Sequence, residues 1–454
     1  MSALFAATYP ERVSQLILFG GFARFADLIG AESIEKVLQR AVKLWGTGAT
    51  IKLILPSQGM PVTNNTRRQA VKSIAKLTKG ITIIALTTLI GHAPALAGTF
   101  VYVSNADEGD IGVYSVQTDG SLKPGERAKA ANIVMPMAVS PDRRFLYAAT
   151  RSKPYSVFVY AIDPNTGALK TLSVSALAES FPYISLDKTG RYLFGASYGS
   201  HLISVNAVGA DGRVAPEPLQ VIPVGRNAHS IRADESNRFV FVPTLGSNEI
   251  FHFTFDSKTG HLASNTPAVF LMKPALGPRH FITSSDNKFV YVLSELTGSV
   301  TTFSHNSDTG LLTEVSSASG LPPESKLVPG APRGPVGVPG GPPLRNTDND
   351  IWAADLHLTP NGKFLYMTER TSHSLATFSV EGASGKLIYL GSTPTEKQPR
   401  GFAIDPKGRF LVVSGEKSDT ISAYAIDEAS GALTLIGKYP AGKGANWVEI
   451  VSFD

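Results

Sequence analysis

A short phrase that recurs seven times constrains the fold of this chain more than any other feature. Each complete copy has a small polar or basic turn, a basic residue, an aromatic residue and an aliphatic run. A unit that repeats at a fixed period buries its apolar face against its neighbours, so the phrase predicts a repeat architecture. The copies are Asp142–Tyr147, Thr189–Phe194, Ser236–Phe241, Asp286–Tyr291, Asn361–Tyr366, Lys407–Val412 and the partial Thr99–Tyr102.

The spacing of the phrases selects the architecture. Their final residues lie 45 to 50 residues apart, except for one interval of 75. Within a unit, apolar and polar residues alternate, as in Glu249–Phe255, and turns such as Asp256–Gly260 separate the runs. Four short strands per unit are typical of a propeller blade, and no unit carries the apolar stripe of a helix. The sequence therefore predicts an all-β, seven-bladed β-propeller over residues 98–454.

Two irregularities in the repeat predict details of the ring. The first unit begins at its second strand, and Ala445–Phe453 is a strand left over after the last unit. We expect this last strand to complete the first blade and close the ring. The long interval contains Gly320–Leu344, which is rich in Pro and Gly and has no periodic pattern. It predicts an inserted loop that is extended or disordered and that covers or reshapes one end of the propeller.

Residues 60–97 have the order of a secretory signal peptide. Five basic residues precede the apolar run Ile81–Ile90, and Ala95–Ala97 precedes Gly98. The apolar run is too short for a membrane span, and a buried helix is the alternative. Arg67 and Arg68 leave both the general and the twin-arginine export routes open. The pattern predicts a periplasmic or secreted protein without a membrane span in the mature chain, or a cytoplasmic one if the leader is a buried helix.

Residues 1–59 do not belong to the repeat. Ser2–Val13 followed by Leu16–Phe22 resembles the helix and strand that follow the nucleophile elbow of an α/β-hydrolase. The elbow and its acid and histidine partners are missing, so this fragment cannot carry that chemistry, and it is too short to bury a core. Our hypothesis is that translation starts at Met60 or that residues 1–59 are a fusion.

Charge and cysteine content narrow the classes of function. The chain has a net charge of +5 and no cysteine. Residues 60–97 contribute five positive charges and residues 1–59 a further two, which leaves the propeller at −2. The basic character is therefore a property of the leader and does not indicate nucleic-acid binding. The absence of cysteine excludes disulfides and thiolate chemistry.

The aligned repeats place charged residues at one end of the channel. The start of each inner strand and the loop after each second strand meet at the same end, because the two strands are antiparallel. The other equivalent positions hold apolar or small residues, so the charges are not required by the blade. The charged and histidine positions of this predicted mouth are Arg151, His229, Arg279, Glu295, Arg370, Arg400 and Glu416.

Convergent arginines suit an anion, because guanidinium pairs with carboxylate or phosphate through two parallel hydrogen bonds. A histidine beside a carboxylate suits proton transfer. The alternative is that these are solvated loop charges that pair with one another. This alternative is strongest for Arg151 and Glu416. His229, Arg279 and Glu295 lie on adjacent blades, which favours a functional site for them.

At these residues the chain resembles the lactonase family of seven-bladed propellers, which includes bacterial 6-phosphogluconolactonase and fungal carboxymuconate-lactonizing enzyme. The phrases that carry the resemblance are Asn227–Ser230, Gly277–Phe281, Tyr291–Leu296, Leu356–Tyr366 and Pro399–Phe402. The resemblance covers nearly all of residues 98–454. It implies a metal-free site with His229, Arg279, Glu295 and Arg370 at the family's active-site positions. The chain departs from the family at Glu369, where members usually have Asn, and at the insertion.

The resemblance implies hydrolysis of an acidic lactone. His229 or Glu295 would activate water, and Arg279 would act with them. Substrate binding would fall to Arg370, Arg400, Arg151, His280 and His357, with no cofactor, no metal and a monomeric chain. The rival hypothesis is a non-catalytic exported propeller that binds a ligand or protein at the same mouth. Gly195–Gly199 spells a serine-hydrolase motif, but it follows a blade strand, so we expect a β-turn.

Overall fold

The computed structural model describes residues 98–333 and 346–453, and every regular element in these ranges is a β-strand. Within them, no helix has the length and apolar character needed to cross a membrane. The predictions for residues 1–59 and 60–97 lie outside the described residues.

The strands form seven separate antiparallel sheets, which we number as blades in chain order. The first blade combines β1 (Thr99–Asn105), β2 (Asp110–Val116), β3 (Leu122–Pro124), β4 (Ala128–Lys129) and the last strand of the chain, β29 (Ala445–Ser452). The second contains β5 (Val134–Val139), β6 (Phe145–Thr150), β7 (Ser156–Ile162) and β8 (Leu169–Ala176). The third contains β9 (Tyr183–Leu186), β10 (Tyr192–Ser197), β11 (Leu202–Val208) and β12 (Val214–Pro223).

The remaining four blades follow the same order. The fourth contains β13 (Arg232–Ala233), β14 (Phe239–Thr244), β15 (Glu249–Asp256) and β16 (His261–Leu271). The fifth contains β17 (Pro278–Thr283), β18 (Phe289–Ser294), β19 (Ser299–His305) and β20 (Leu312–Ser319). The sixth contains β21 (Ala353–Leu358), β22 (Phe364–Glu369), β23 (Ser374–Val380) and β24 (Leu387–Pro394). The seventh contains β25 (Pro399–Ile404), β26 (Phe410–Gly415), β27 (Thr420–Ile426) and β28 (Leu433–Pro440).

The last strand closes the ring, as the repeat predicts. β29 pairs antiparallel with β1 along its whole length, from Thr99 opposite Ser452 to Asn105 opposite Ala445. It thereby becomes the innermost strand of the first blade. Closure of this kind removes the free end that an open row of blades would leave. The predicted all-β, seven-bladed propeller is confirmed.

Turn chemistry explains the first half of the repeated phrase. Its second residue has a positive φ in all six complete copies, for example 71° at Gly190 and 58° at Asn237, where Gly and Asn are the least strained residues. Just before the turn, a short polar side chain accepts backbone hydrogens. Asp187 Oδ1 accepts from the amides of Arg191 (2.8 Å) and Tyr192 (3.0 Å). The phrase therefore encodes a tight hairpin between the first and second strands.

The aromatic residue of the phrase joins each blade to the next. In every blade its ring packs on a glycine in the turn before the outer strand of the following blade, so close that an added Cβ would overlap the ring. The seven contacts run around the whole ring and include the closing one. They are Phe100–Gly167, Phe145–Gly212, Tyr192–Gly260, Phe239–Gly310, Phe289–Gly385, Phe364–Gly431 and Phe410–Gly120.

β-Bulges interrupt the start of the inner strands. In the fifth blade Pro278 pairs with Ser294 and Phe281 with Val292, so the inner strand has one residue too many between them. The second, sixth and seventh blades shift in the same way, between Val134 and Met137, Ala353 and Leu356, and Pro399 and Phe402. A bulge changes the direction of the side chains it contains and locally interrupts the backbone hydrogen bonds between the two strands. The inner strands therefore present irregular backbone at one end of the channel.

Candidate active site

The bulges carry the predicted residues of the inner strands. Arg279 and Arg400 lie in the bulges of the fifth and seventh blades. His229 precedes the very short β13, and its amide donates to the Pro243 carbonyl at 3.1 Å. Glu295 follows β18 directly, and its amide donates to the Gly277 carbonyl at 2.8 Å. Antiparallel pairing thus brings the two sets of residues to the same end, which we call the mouth.

The centre of the mouth is a buried cluster of two arginines around one carboxylate. Glu295 Oε2 accepts from Arg279 Nε at 2.7 Å and from Arg370 Nη2 at 3.1 Å. Arg279 Nη1 also donates to the Ala354 carbonyl, and Arg370 Nε donates to the Trp352 carbonyl at 2.9 Å. Both guanidinium groups are shielded from solvent, and Glu295 is buried with them. These bonds connect the fifth and sixth blades and fix both arginines in one geometry.

The mouth holds more positive than negative charge. Arg400 lies beside this cluster and pairs with Glu416, with 3.5 Å between Nη1 and Oε1. Burial and then the charge of Arg400 lower the pKa of Arg279 to about 10 and that of Arg151 to about 10. Burial also lowers the pKa of Arg370 well below its usual range. Four arginines thus lie near two carboxylates in a largely buried site, and this excess of positive charge is costly unless an anion joins it.

His229 lies next to this cluster as a neutral base. Its imidazole is buried and contacts the rings of Tyr198 and His280 edge to face, with centroids 5.5 and 5.2 Å apart. Burial, followed by the charge of Arg279, lowers its pKa well below the ordinary value. Within the described residues, Nδ1 has no hydrogen-bond partner. A neutral imidazole with one unpartnered nitrogen can accept a proton from a bound water.

Several buried polar atoms at the mouth and just below it have no hydrogen-bond partner among the residues that the structure describes. In the described part of the chain, buried side-chain atoms without a partner include His229 Nδ1, Arg279 Nη2, His280 Nε2 and Arg400 Nε. Buried polar groups are nearly always satisfied, so four unpartnered atoms on the fourth, fifth and seventh blades indicate a binding site. The arginine atoms are donors, which again favours an anionic or carbonyl-bearing ligand.

The two secondary histidines lie deeper than the mouth. His280 Nδ1 lies 2.8 Å from Asp355 Oδ1, and His357 Nε2 lies 3.2 Å from Asp355 Oδ2. Both histidines and Asp355 line a cavity of about 380 Å³ that occupies the central channel toward the opposite end. His229, Arg279 and Glu295 do not line this cavity. His280 and His357 thus lie in the channel below the mouth, and a role for either in substrate binding stays a prediction.

Arg151 lies at the edge of the mouth. Its Nε donates to Ser180 Oγ at 3.1 Å, and its Nη1 lies 3.5 Å from Met135 Sδ. No carboxylate within the described ranges forms an ion pair with it, which does not support the alternative that Arg151 pairs with another loop charge. Its part in binding substrate stays a prediction.

Sequence reasoning missed Trp352, and it did not reveal what Glu369 contacts. The ring of Trp352 lies 3.7 Å from Arg370 Cζ, so it covers one face of a site arginine. Its backbone amide donates to Glu369 Oε1 at 2.7 Å, and Glu369 Oε2 accepts from the Ser372 amide at 2.5 Å. The Glu369 carboxylate is therefore engaged by two backbone amides, and it adds no unpaired charge to the mouth. Trp352 follows the insertion and lies outside the repeated phrase, so the repeat could not reveal it.

The serine-hydrolase motif lies at the end of a strand and runs into the predicted turn. Gly195 and Ser197 belong to β10, and β11 begins at Leu202 after the turn. Ser197 is buried, and its hydroxyl accepts from the Ser200 amide at 3.3 Å. A strand followed by a turn and another strand does not form a nucleophile elbow.

Comparison with known proteins identifies the family of the propeller. The profile of the family described as Lactonase, 7-bladed beta-propeller matches residues 95–450. The 6-phosphogluconolactonase of Serratia proteamaculans is 36% identical over 305 residues, which are 67% of this chain and 84% of that protein. That of Pectobacterium carotovorum is 33% identical over the same shares.

Solved structures show the same architecture. A periplasmic gluconolactonase from Pseudomonas aeruginosa has a TM-score of 0.67 and 28% identity, covering 79% of this chain and 100% of its own. A structure described as a putative 6-phosphogluconolactonase from Bacteroides fragilis has a TM-score of 0.68 at 23% identity, covering 79% and 99%. At 23% identity, the similarity to the Bacteroides fragilis structure shows only a shared fold.

Fold and site together define a ring-closed seven-bladed propeller with a histidine, two buried arginines and a shared carboxylate at one mouth. The chain belongs to the seven-bladed β-propeller lactonase family.

Proposed function

We propose that this chain hydrolyses an acidic sugar lactone at the mouth defined by His229, Arg279, Glu295 and Arg370. The observation that carries the proposal is that His229 Nδ1 and Arg279 Nη2 are both buried without a partner in the described ranges. Arg279 Nη2 is a donor, and we assign His229 the tautomer in which Nδ1 is an acceptor. Lactone opening needs a base for water and a donor for the oxyanion. The names of the relatives, which are 6-phosphogluconolactonases and a gluconolactonase, support a sugar-acid substrate.

The surroundings of the two candidate residues favour His229 as the base. Glu295 Oε2 accepts hydrogen bonds from two guanidinium groups, so this oxygen is already engaged in holding Arg279 and Arg370. His229 is held neutral by burial and by the nearby charge of Arg279. We therefore assign His229 as the general base and Glu295 as the residue that positions Arg279 and Arg370.

The reaction then follows from the geometry. His229 Nδ1 takes a proton from water as the water oxygen bonds to the lactone carbonyl carbon. The carbonyl oxygen becomes an oxyanion, which Arg279 Nη2 stabilises. When the tetrahedral intermediate collapses, the bond between carbon and ring oxygen breaks, and the imidazolium returns its proton to the leaving alkoxide. Lactone and water become one hydroxy acid, and the residues regain their starting protonation states. Arg370, with Arg400 and Arg151, favours an acidic substrate by its charge.

A panel of lactones tests the proposal with the full chain. We expect opening of 6-phosphogluconolactone or of another acidic lactone above the uncatalysed rate, followed by pH-indicator absorbance. Arg279→Ala should lower kcat by roughly 100-fold or more, the size of one lost oxyanion donor. Circular dichroism and the thermal midpoint show whether the variant still folds. An unchanged rate in a folded Arg279→Ala variant would remove Arg279 from the mechanism.

We also propose that the chain is exported. The support is the charged, apolar and small-residue order of residues 60–97, together with the periplasmic location named for the Pseudomonas aeruginosa gluconolactonase. Fractionation of the native host should find the mature protein in the periplasm with Gly98 near its N-terminus. A cytoplasmic protein that retains residues 60–97 would contradict the signal peptide.

A further inference from the structure

The first part of the insertion is attached to the mouth by backbone hydrogen bonds. The Val328 amide donates to the Asn349 carbonyl at 2.9 Å, and the Ile351 amide donates to the Val328 carbonyl at 2.8 Å. The Gly330 amide donates to the Leu296 carbonyl at 2.9 Å, one residue after Glu295. These bonds join the segment 327–333 to the loops that carry Glu295 and Trp352. The segment is therefore part of the wall of the mouth.

This attachment places Arg333 against Trp352. The guanidinium carbon of Arg333 lies 3.3 Å from the centroid of the indole, and that of Arg370 lies 3.7 Å from the same centroid. Two guanidinium groups so close to one ring centroid must lie on opposite faces, because on one face they would overlap. Trp352 is thus sandwiched between a site arginine and an arginine of the insertion. A cation on an aromatic face is held without using its in-plane N–H donors.

A second contact joins the backbone of Arg333 to Tyr198, the ring that packs against His229. The Tyr198 hydroxyl donates to the Arg333 carbonyl at 3.1 Å, and the Tyr198 ring contacts His229 edge to face. Within residues 98–333 and 346–453, no carboxylate forms an ion pair with Arg333. Burial lowers the pKa of its guanidinium, and the strongest opposing influence is the charge of Glu295. Arg333 is therefore near the reacting centre and still has donors for a ligand.

We propose that Arg333 determines substrate specificity by binding an anionic substituent, phosphate or carboxylate, that the lactone carries away from its reacting carbonyl. The inference rests on the proposed function and extends it. Arg279 and Arg370 lie beside Glu295, whereas Arg333 lies on the other face of the Trp352 indole. One substrate can therefore contact Arg279 and Arg370 with its lactone group and Arg333 with its anionic substituent. The planar fork of a guanidinium matches either anion through paired hydrogen bonds.

Three product acids that differ only at carbon 6 test this assignment. Gluconate carries a hydroxyl group there, 6-phosphogluconate a phosphate and glucarate a carboxylate. Isothermal titration calorimetry on the full chain should show tighter binding of at least one anionic acid than of gluconate. Arg333→Gln should weaken binding of that acid roughly tenfold or more, as expected for one charge-assisted hydrogen bond, and should change gluconate binding less than about twofold.

Two matched variants separate charge from packing. Arg333→Lys keeps the charge without the fork and should recover part of the lost affinity. Arg213→Gln removes an exposed arginine that pairs with Asp211 in a turn on another blade, and it should leave all three affinities unchanged. In kinetics, Arg333→Gln should raise KM for the acidic lactone and leave kcat within about twofold, because Arg333 does not act at the reacting carbonyl.

The outcomes distinguish this inference from the proposed function. If the wild-type chain opens lactones but Arg333→Gln changes all three affinities equally, or none, the inference is overturned and the function stands. Equal wild-type affinity for the three acids overturns it as well. If the wild-type chain opens no lactone and binds none of the acids, the proposed function fails and takes the inference with it.

Discussion

Replacing His229 with glutamine tests which of His229 and Glu295 is the general base. Glutamine keeps the polar character and much of the volume of the imidazole, and Nδ1 of His229 has no partner in the described residues to lose. We therefore expect His229→Gln to fold with nearly unchanged stability. The side chain can no longer take a proton from water, and a positioned general base contributes about 10²–10⁴-fold to a rate. That range corresponds to about 2.7 to 5.4 kcal/mol of the barrier.

The pH profile of kcat/KM makes this prediction specific. Burial and the charge of Arg279 lower the pKa of His229 well below its ordinary value, so the base stays neutral in mildly acidic solution. The acidic limb of the wild-type profile should therefore lie below the ordinary histidine value of about 6.5, and His229→Gln should remove that limb. Glu295→Gln is the comparison, and it should retain the limb. The reasoning is refuted if His229→Gln loses less than about tenfold in rate while Glu295→Gln abolishes the limb.

Two further predictions concern the stability of the ring. Gly212→Ala should lower the free energy of unfolding by roughly 1–3 kcal/mol, because φ is 81° there and the added Cβ would overlap the Phe145 ring. The control in urea denaturation is Gly382→Ala, because a Cβ at Gly382 meets nothing within 4 Å. Equal losses of stability in the two variants would show that the contact between Phe145 and Gly212 does not stabilise the ring. Burial lowers the pKa of His252 to about 4, so its unfolded form binds a proton first as pH falls and the folded state loses stability between about pH 6.5 and 4. His252→Leu should therefore reduce the stability lost between pH 7 and pH 5 by on the order of 2 kcal/mol, and identical losses in both proteins would contradict this.

The fold could be predicted because its information is local and repeated. Each phrase specifies one hairpin, and the leftover Ala445–Phe453 strand showed how the ring closes. The contacts between an aromatic ring and a glycine of the next blade, such as Phe145 on Gly212, could not be predicted, because the two partners lie in different units and neither position alone indicates the other.

The candidate site was only partly visible in the sequence. Alignment of the repeats placed Arg279 and Glu295 at the same end, and they do meet at 2.7 Å. The bulge that directs Arg279 could not be predicted, since one extra residue in a strand leaves no compositional signal. Trp352 and Arg333 follow no repeat, and the insertion shows only its Pro and Gly content. Their positions depend on long-range backbone hydrogen bonds that local patterns do not encode.

The position of a bound product acid tests the central claim most directly. A crystal structure of the full chain with 6-phosphogluconate should show the acid at the mouth, in contact with His229, Arg279 and Arg370. A ligand bound instead in the central channel, beside His280 and His357, with the mouth unaltered, would contradict this account of the active site.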